Sequence, residues 1–433
     1  MKTGEPSRSP ANQRAVVPPG AEGCTSQELV ARQPIFDDRQ RIYGYELLFR
    51  YCQAENFYDG LGSDPSLSVI SNSVLFHDLS ELVDNRKAFI NLNQDGILDD
   101  SAMLLPKGLA VVEILESVEP NAAVLAALCR LKTAGYLLAL DDVSSCDRVA
   151  PFVGLVQFAK VDLSLTTIAQ QRELAHYARA CGIIPIAEKV ETRKQFRESA
   201  AMDFKFFQGY FFAQPEIMTR RDMPVFKVNY LRFLEAIHRP DLDLQYLEKL
   251  IRSEESFVFK LLRYLNSPIF GFRHDIRSIQ HAITLLGEKE VRRWASMVAI
   301  TTLASDKPDE IALTSLRRAF MCELLAELAG MAGKKDSLFL VGLLSTIDAI
   351  LDRPLGEILA QLPINDDIKS ALLDGRNEMA SVLQLTEAYD RANWREVLDL
   401  AQTLRLAETK ILPAYMMALA LSRKVVQAVP DLV

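Results

Sequence analysis

The chain of 433 residues is poor in the residues that build soft-metal and disulfide chemistry. Its six cysteines, at 24, 52, 129, 146, 181 and 322, form no CxxC pair. Spread over so long a chain they read as ordinary thiols in a reducing, cytoplasmic setting rather than as a disulfide framework. The five histidines, at 77, 176, 238, 274 and 281, have no ligand spacing, which argues against a Cys/His zinc centre. Long apolar runs are also missing: none reaches the eighteen or so residues that span a bilayer, so no membrane association is expected. Excess positive charge is absent too. With a formal net charge of -8 the chain is not a general nucleic-acid coat, although a local basic pocket is compatible with that balance. The opening "MKTGEPSRSPANQRAVVPPGAEG" lacks the apolar core of a signal peptide, and residues 1–27 read as a disordered tail.

What is present is the composition of globular domains, 49% hydrophobic and 24% charged, at a length that predicts two or three of them. Residues 28–217 alternate strand-like runs with helical stretches. The runs are "RIYGYELLF", "KAFINLN", "GLAVVEIL", "GYLLALDD", "LVQFAKVD", "GIIPIAE" and "FKFFQGYFF". Several are apolar almost throughout, as strands buried on both faces of a parallel sheet require. Between them, "PNAAVLAALCRLKTAG" and "LTTIAQQRELAHYARACG" are helical in period and stop at Gly135 and Gly182. Repeated βα units of this length predict a doubly wound sheet or a β/α barrel. From about residue 222 the strand runs cease. Helices are predicted over 225–238, 243–252, 255–265, 278–285, 288–304, 310–332, 336–351, 354–361, 365–375, 378–390, 393–405 and 408–426. The domains are therefore drawn at 28–217 and 222–433.

Polar residues recur near the C-terminal ends of the runs: Glu46, Asn91, Glu113 with Glu116, Asp141 with Asp142, Lys160 with Asp162, Glu188 and Gln208. Strand ends carry acids simply because they meet solvent, but a barrel would bring these ends together on one face. Carboxylates with an Asn suit hard cations such as Mg²⁺ or Mn²⁺. Such ions polarise phosphates and acidify water, and a lysine among them orients that water or, if desolvated, takes its proton.

The stretch "RQPIFDDRQRIYGYELLFR" resembles the opening of EAL domains, the cyclic di-GMP phosphodiesterases. The resemblance implies a TIM-like barrel that opens cyclic di-GMP to linear pGpG. It gives Glu46, Asn91 in "INLN", Glu113 in "EILE", Asp141 in "LDD" and Glu188 in "AEKVET" as metal ligands. It gives Lys160 in "KVD" as the residue near the attacking water, Glu116 as a residue steadying a neighbouring loop, and Asp142 as a further catalytic acid. Gln33, Arg50 and Gln208 become contacts to the dinucleotide, and Asp162 and Glu191 complete the pattern. Two departures bear on activity. The loop after Asp142 reads "VSSCDRV", without the glycine the family carries there, and the glycine after the last metal glutamate is Lys189. An ammonium at that place either faces the cation site, repelling the ion, or points to solvent.

"SFVFKLLRYLNSPIFGFRHDIRSIQHAITLLGEKEVRRWASMVA" resembles HDOD domains, helical relatives of HD phosphohydrolases without their metal histidines. "VGLLSTIDAIL" has Ser345-Thr346 where an HD enzyme has His-Asp, and His274-Asp275 has no second His pair to complete a site. The two halves together resemble bacterial EAL–HDOD signalling proteins. That resemblance implies a cyclic di-GMP regulator with weak or lost hydrolysis, coupled to a helical domain that contacts a protein partner. The other reading is an active Mg²⁺- or Mn²⁺-dependent phosphodiesterase. A homodimer is compatible with either.

Overall fold

In a computed structural model the described residues are 27–52, 79–99, 101–215, 224–239 and 287–428. Eight strands close into a barrel in sequence order: β1 (Gln27–Asp37), β2 (Ile42–Cys52), β3 (Lys87–Leu92), β4 (Ala110–Ile114), β5 (Leu137–Leu140), β6 (Phe158–Asp162), β7 (Ile184–Glu188) and β8 (Phe206–Gln208). Strands β2 to β8 run parallel, whereas β1 is antiparallel to both of its neighbours, β2 and β8. The sequence runs did not include β1. Its Pro34 and buried Arg32 break the apolar signature, yet Arg32 is neutralised by Asp84 at 2.7 Å and stacks 4.1 Å over the Tyr45 ring.

The barrel interior is layered, and the layers place the site. Ile35, Phe89, Val111, Ala139, Phe158 and Ile186 form a separate buried cluster, closed by Tyr43, Leu137 and Phe206. Tyr43 lies on Phe206 with centroids 4.3 Å apart, and Phe89 meets Phe158 at 5.7 Å. Side chains in a strand alternate faces, so the next inward position is two residues on. On β3 to β8 that step leads from Phe89 to Asn91, Val111 to Glu113, Ala139 to Asp141, Phe158 to Lys160, Ile186 to Glu188 and Phe206 to Gln208. An apolar plug thus sits directly beneath a polar layer at the C-terminal mouth.

Helices on the outside are fixed at their ends. Thr167 and Thr192 each form a capping box, with Gln170 and Gln195. The helical half includes Val225–Ile237, Glu288–Leu303, Asp309–Leu328, Glu378–Asp390, Trp394–Thr403 and Ile411–Ala428. The helix expected over 336–351 is two, Lys335–Leu344 and Ile347–Leu351. The expected helices at 243–252, 255–265 and 278–285 lie outside the described residues, as does His274-Asp275. Among the described residues no helix is long and apolar enough to cross a membrane.

Candidate functional site

The centre of the mouth is Lys160. Its ammonium lies 3.0 Å from Glu46, 2.9 Å from Glu113, 3.0 Å from Asp141 and 2.8 Å from Glu188, and the residue is wholly buried. Asn91 donates to Glu46 Oε1 at 2.7 Å, and Gln208 Nε2 donates to Glu46 Oε2 at 2.7 Å and to Gln33 Oε1 at 3.1 Å. Five strands therefore deliver the four carboxylates and the lysine to one point.

Four carboxylates facing one ammonium leave the site short of positive charge. Burial pushes the Glu113 carboxyl well above its usual range, against the pull of Lys160, and raises Asp141 in the same way. Burial carries Glu188 to about 8. Glu46 moves down instead, because Lys160 and the donors Gln208 and Asn91 outweigh its burial. Against its own burial, the four acids hold Lys160 well above the ordinary lysine value. Asn91 Oδ1, Gln208 Oε1 and both Glu113 oxygens are buried without a hydrogen-bond donor, the contact of Glu113 with Lys160 being ionic only. Buried acceptors without donors are costly, and a hard divalent cation satisfies them. The donor set fits a hard divalent cation.

A pH dependence follows. Glu188 titrates near 4.5 when unfolded and near 8 when folded, so the folded state binds the extra proton between those values. Stability then falls as pH rises, by about 1.4 kcal/mol per pH unit for each such carboxyl. Half-buried His238, lowered from 6.5 to about 4 by desolvation and by Arg292, acts in the opposite sense only below pH 6.5. Urea unfolding with a chelator is expected to show stability declining from pH 6.5 to 8, and Mn²⁺ to flatten the decline. A rise with pH over that window under chelation would contradict the carboxyl assignment.

At the rim, Glu116, Asp141 and Asp142 each place a carboxylate oxygen within 4.8 Å of the others. Glu116 is thus part of an acidic trio, and Asp142 adopts φ 45°. The glycine-free "VSSCDRV" loop contains no positive-φ residue: Asp142 itself takes that conformation. Cys146–Val149 forms a short helix, and Arg148 donates to Leu115 O and Val118 O at 2.8 Å each. Lys189 has φ 53°, the left-handed conformation that a glycine adopts without strain. Its side chain is 57% exposed and pairs with Asp162, outside the carboxylate cluster. Arg50 is half-buried on the same face of β2 as Glu46, four residues further along, roughly 13 Å at strand spacing. Glu191 is exposed in the turn after β7.

One contributor was not visible in the sequence. Gln33 Nε2 donates to the backbone carbonyl of Arg391 at 3.3 Å, from the helical half. A carbonyl contact carries no residue-type signal. In that half Ser345 and Thr346 are tied to Arg318 and Ser315, and no acid or histidine cluster of metal-binding geometry appears there among the described residues.

Comparison with known proteins agrees with this architecture. Residues 85–215 match the EAL domain, and residues 223–352 match the HDOD domain. The chain is 31% identical over 384 residues to the uncharacterized protein YuxH of Bacillus subtilis (strain 168), covering 87% of this chain and 93% of that protein. It is 31% identical over 371 residues to the cyclic di-GMP phosphodiesterase CdgJ of Vibrio cholerae serotype O1, covering 85% of this chain and 86% of the relative. Among solved structures, the Bacillus subtilis YkuI protein, with an EAL domain and in complex with cyclic di-GMP and calcium, shares 19% identity. That likeness covers 60% of this chain and 72% of YkuI, with a TM-score of 0.36. With an EAL match followed by an HDOD match, and relatives 31% identical over 85% or more of its length, the chain belongs to the EAL–HDOD family of proteins.

Proposed function

We propose that the barrel binds cyclic di-GMP and hydrolyses one phosphodiester bond to give linear pGpG, using Mg²⁺ or Mn²⁺. The observation that carries this reading is the convergence of Glu46, Glu113, Asp141 and Glu188 on one buried point, with acceptors left without donors. Glu46, Asn91, Glu113, Asp141 and Glu188 are the residues to hold the metal. When bound, the ion supplies polarisation of the phosphate and acidification of water. Lys160, its proton held by four acids, is a poor base near neutrality, so its role is to donate, orienting the water or countering charge on the phosphate. Asp142, half-buried and raised by burial and by Asp141, is the group to receive the water's proton, and Glu116 beside it is the residue that steadies the neighbouring loop. Gln33, Arg50 and Gln208 bind the dinucleotide. The Vibrio relative's name as a cyclic di-GMP phosphodiesterase supports the substrate. The helical half, with Ser345-Thr346 in place of a metal pair, serves as a surface for a protein partner.

Weak or lost hydrolysis is the second reading, and the observation that favours it is the pairing of Asp162 with Lys189. Turnover of cyclic di-GMP with Mn²⁺, measured beside equilibrium binding, separates the two. The expected result is turnover that Glu46→Ala lowers by a factor on the order of 100 or more. Tight binding without turnover in either metal would sink the enzyme reading. Lys189→Gly relieves the positive φ, worth about 1 kcal/mol, and loses a half-exposed ion pair of similar size, so stability is expected to stay within about 1 kcal/mol. Turnover appearing only in that variant would establish Lys189 as the suppressor.

A further inference from the structure

Three consecutive residues at the C-terminal end of the Glu378–Asp390 helix are hydrogen-bonded to the barrel. Tyr389 donates its hydroxyl to Val30 O on β1 at 2.9 Å. The Tyr210 hydroxyl, two residues after Gln208, donates to Asp390 O. Gln33 Nε2 donates to Arg391 O at 3.3 Å. A helix leaves its last carbonyls without partners, and here side chains of the barrel satisfy two carbonyls at that end.

The chemistry of the two ends of this chain of bonds sets its direction. The Arg391 carbonyl and the ionised Glu46 carboxylate can only accept. Gln33 must therefore turn its NH₂ to Arg391, which turns its oxygen to Gln208. Gln208 then spends both protons of Nε2, on Gln33 Oε1 at 3.1 Å and on Glu46 Oε2 at 2.7 Å. Its own Oε1 remains buried and free of donors at the mouth. A second path closes the loop. Tyr45, the neighbour of Glu46, donates to Glu310 Oε2 at 3.2 Å, Glu310 Oε1 meets Arg317 at 3.2 Å, and Arg317 Nε meets Asp390 Oδ1 at 3.1 Å.

We infer that residues 389–391 of the helical half are positioning residues for the barrel site, steadying through Gln33 the place from which Gln208 donates to Glu46. Displacing that turn takes away the outer acceptor of Gln33 and loosens the support it gives Gln208 beside Glu46, so a partner that pulls on the helical half regulates the site through this contact. The inference deepens the proposed function, because it concerns the regulation of the same site, but its first readout needs neither metal nor turnover.

The test is the full chain carrying Tyr210→Phe and Tyr389→Phe, which remove two of the three bonds and leave the site's own side chains in place. Hydrogen–deuterium exchange of the metal-free protein is expected to rise at least fivefold in 44–48 and 206–210, with 137–140 unchanged. In the same variant Mn²⁺ affinity is expected to drop about tenfold, and kcat to fall with KM held. Faster exchange confined to 389–392 and 29–31, with 44–48 as in the wild type, overturns the inference whether or not the protein binds metal. Wild-type protein that neither binds Mn²⁺ nor turns over the dinucleotide overturns the proposed function instead, and leaves the exchange result to decide this one.

Discussion

Lys160→Met is expected to destabilise the metal-free protein by roughly 3–5 kcal/mol and to make its folding depend on a divalent cation. The lysine is wholly buried, and its ammonium is within 3.0 Å of four carboxylates that burial keeps from water. Methionine fills a similar volume, so packing changes little. What disappears is, among the described residues, the one positive charge in contact with all four carboxylates. Breaking a buried ion cluster by removing one partner leaves the remaining charges uncompensated. Two remedies exist, and each can be measured. Lower pH protonates the acids, so the deficit shrinks in acid and grows toward pH 8, more steeply than in the wild type. A divalent cation restores the charge, and Mn²⁺ is expected to raise the midpoint of urea unfolding far more in Lys160→Met than in the wild type. A deficit that Mn²⁺ leaves untouched would mean that the cluster is a structural salt bridge and holds no ion.

The carboxylates of this cluster were readable before any coordinates, and the reason is geometric. Glu113, Asp141 and Glu188 each lie two residues beyond an apolar plug residue, so strand order alone brings them to one end, whereas Glu46 stands inside its run and was placed by the motif around it. That Lys160 would stand at their centre was not readable. It depends on how far a lysine stem reaches across a mouth whose width the sequence does not state. Lys189 had two placements open for a related reason: its conformation follows from the backbone of a glycine slot, but its partner Asp162 lies 27 residues away on the adjacent strand. Strand β1 escaped notice because Arg32 is buried through an ion pair and a ring stack, which look polar in one dimension. In the helical half the period of apolar residues was strong enough to place most described helices within a few residues. The break at Ser345-Thr346 carries neither glycine nor proline and so left no trace. The contacts between halves run through backbone carbonyls, hydroxyls and buried charges, whose pairing is a property of docking rather than of any local pattern.

Asp390→Ala is expected to cost about as much as loss of the central lysine, roughly 3–5 kcal/mol, although it lies in the other half of the chain. Asp390 is 4% exposed and receives Arg317 Nε at 3.1 Å and Arg318 Nε at 2.8 Å. Burial alone would raise its carboxyl, but the two guanidinium groups hold it below the usual range. Its stabilisation is therefore present at neutral pH and is lost only as pH falls through that depressed value. Alanine would leave two adjacent buried arginines, with Glu310 and Glu387 as their remaining acids. Glu387 supplies the contrast. Its side chain is 27% exposed and touches only Arg318 among these arginines, so Glu387→Ala is expected to cost about 1 kcal/mol or less. Urea midpoints of the two variants, with unchanged slopes, check the difference. Equal small losses would show that water reaches the arginines and that the junction is not dry. A large loss for Asp390→Ala alone makes the turn at 389–391 a rigid fixture, held from behind by the Asp309–Leu328 helix, which is the condition for it to hold Gln33 in place.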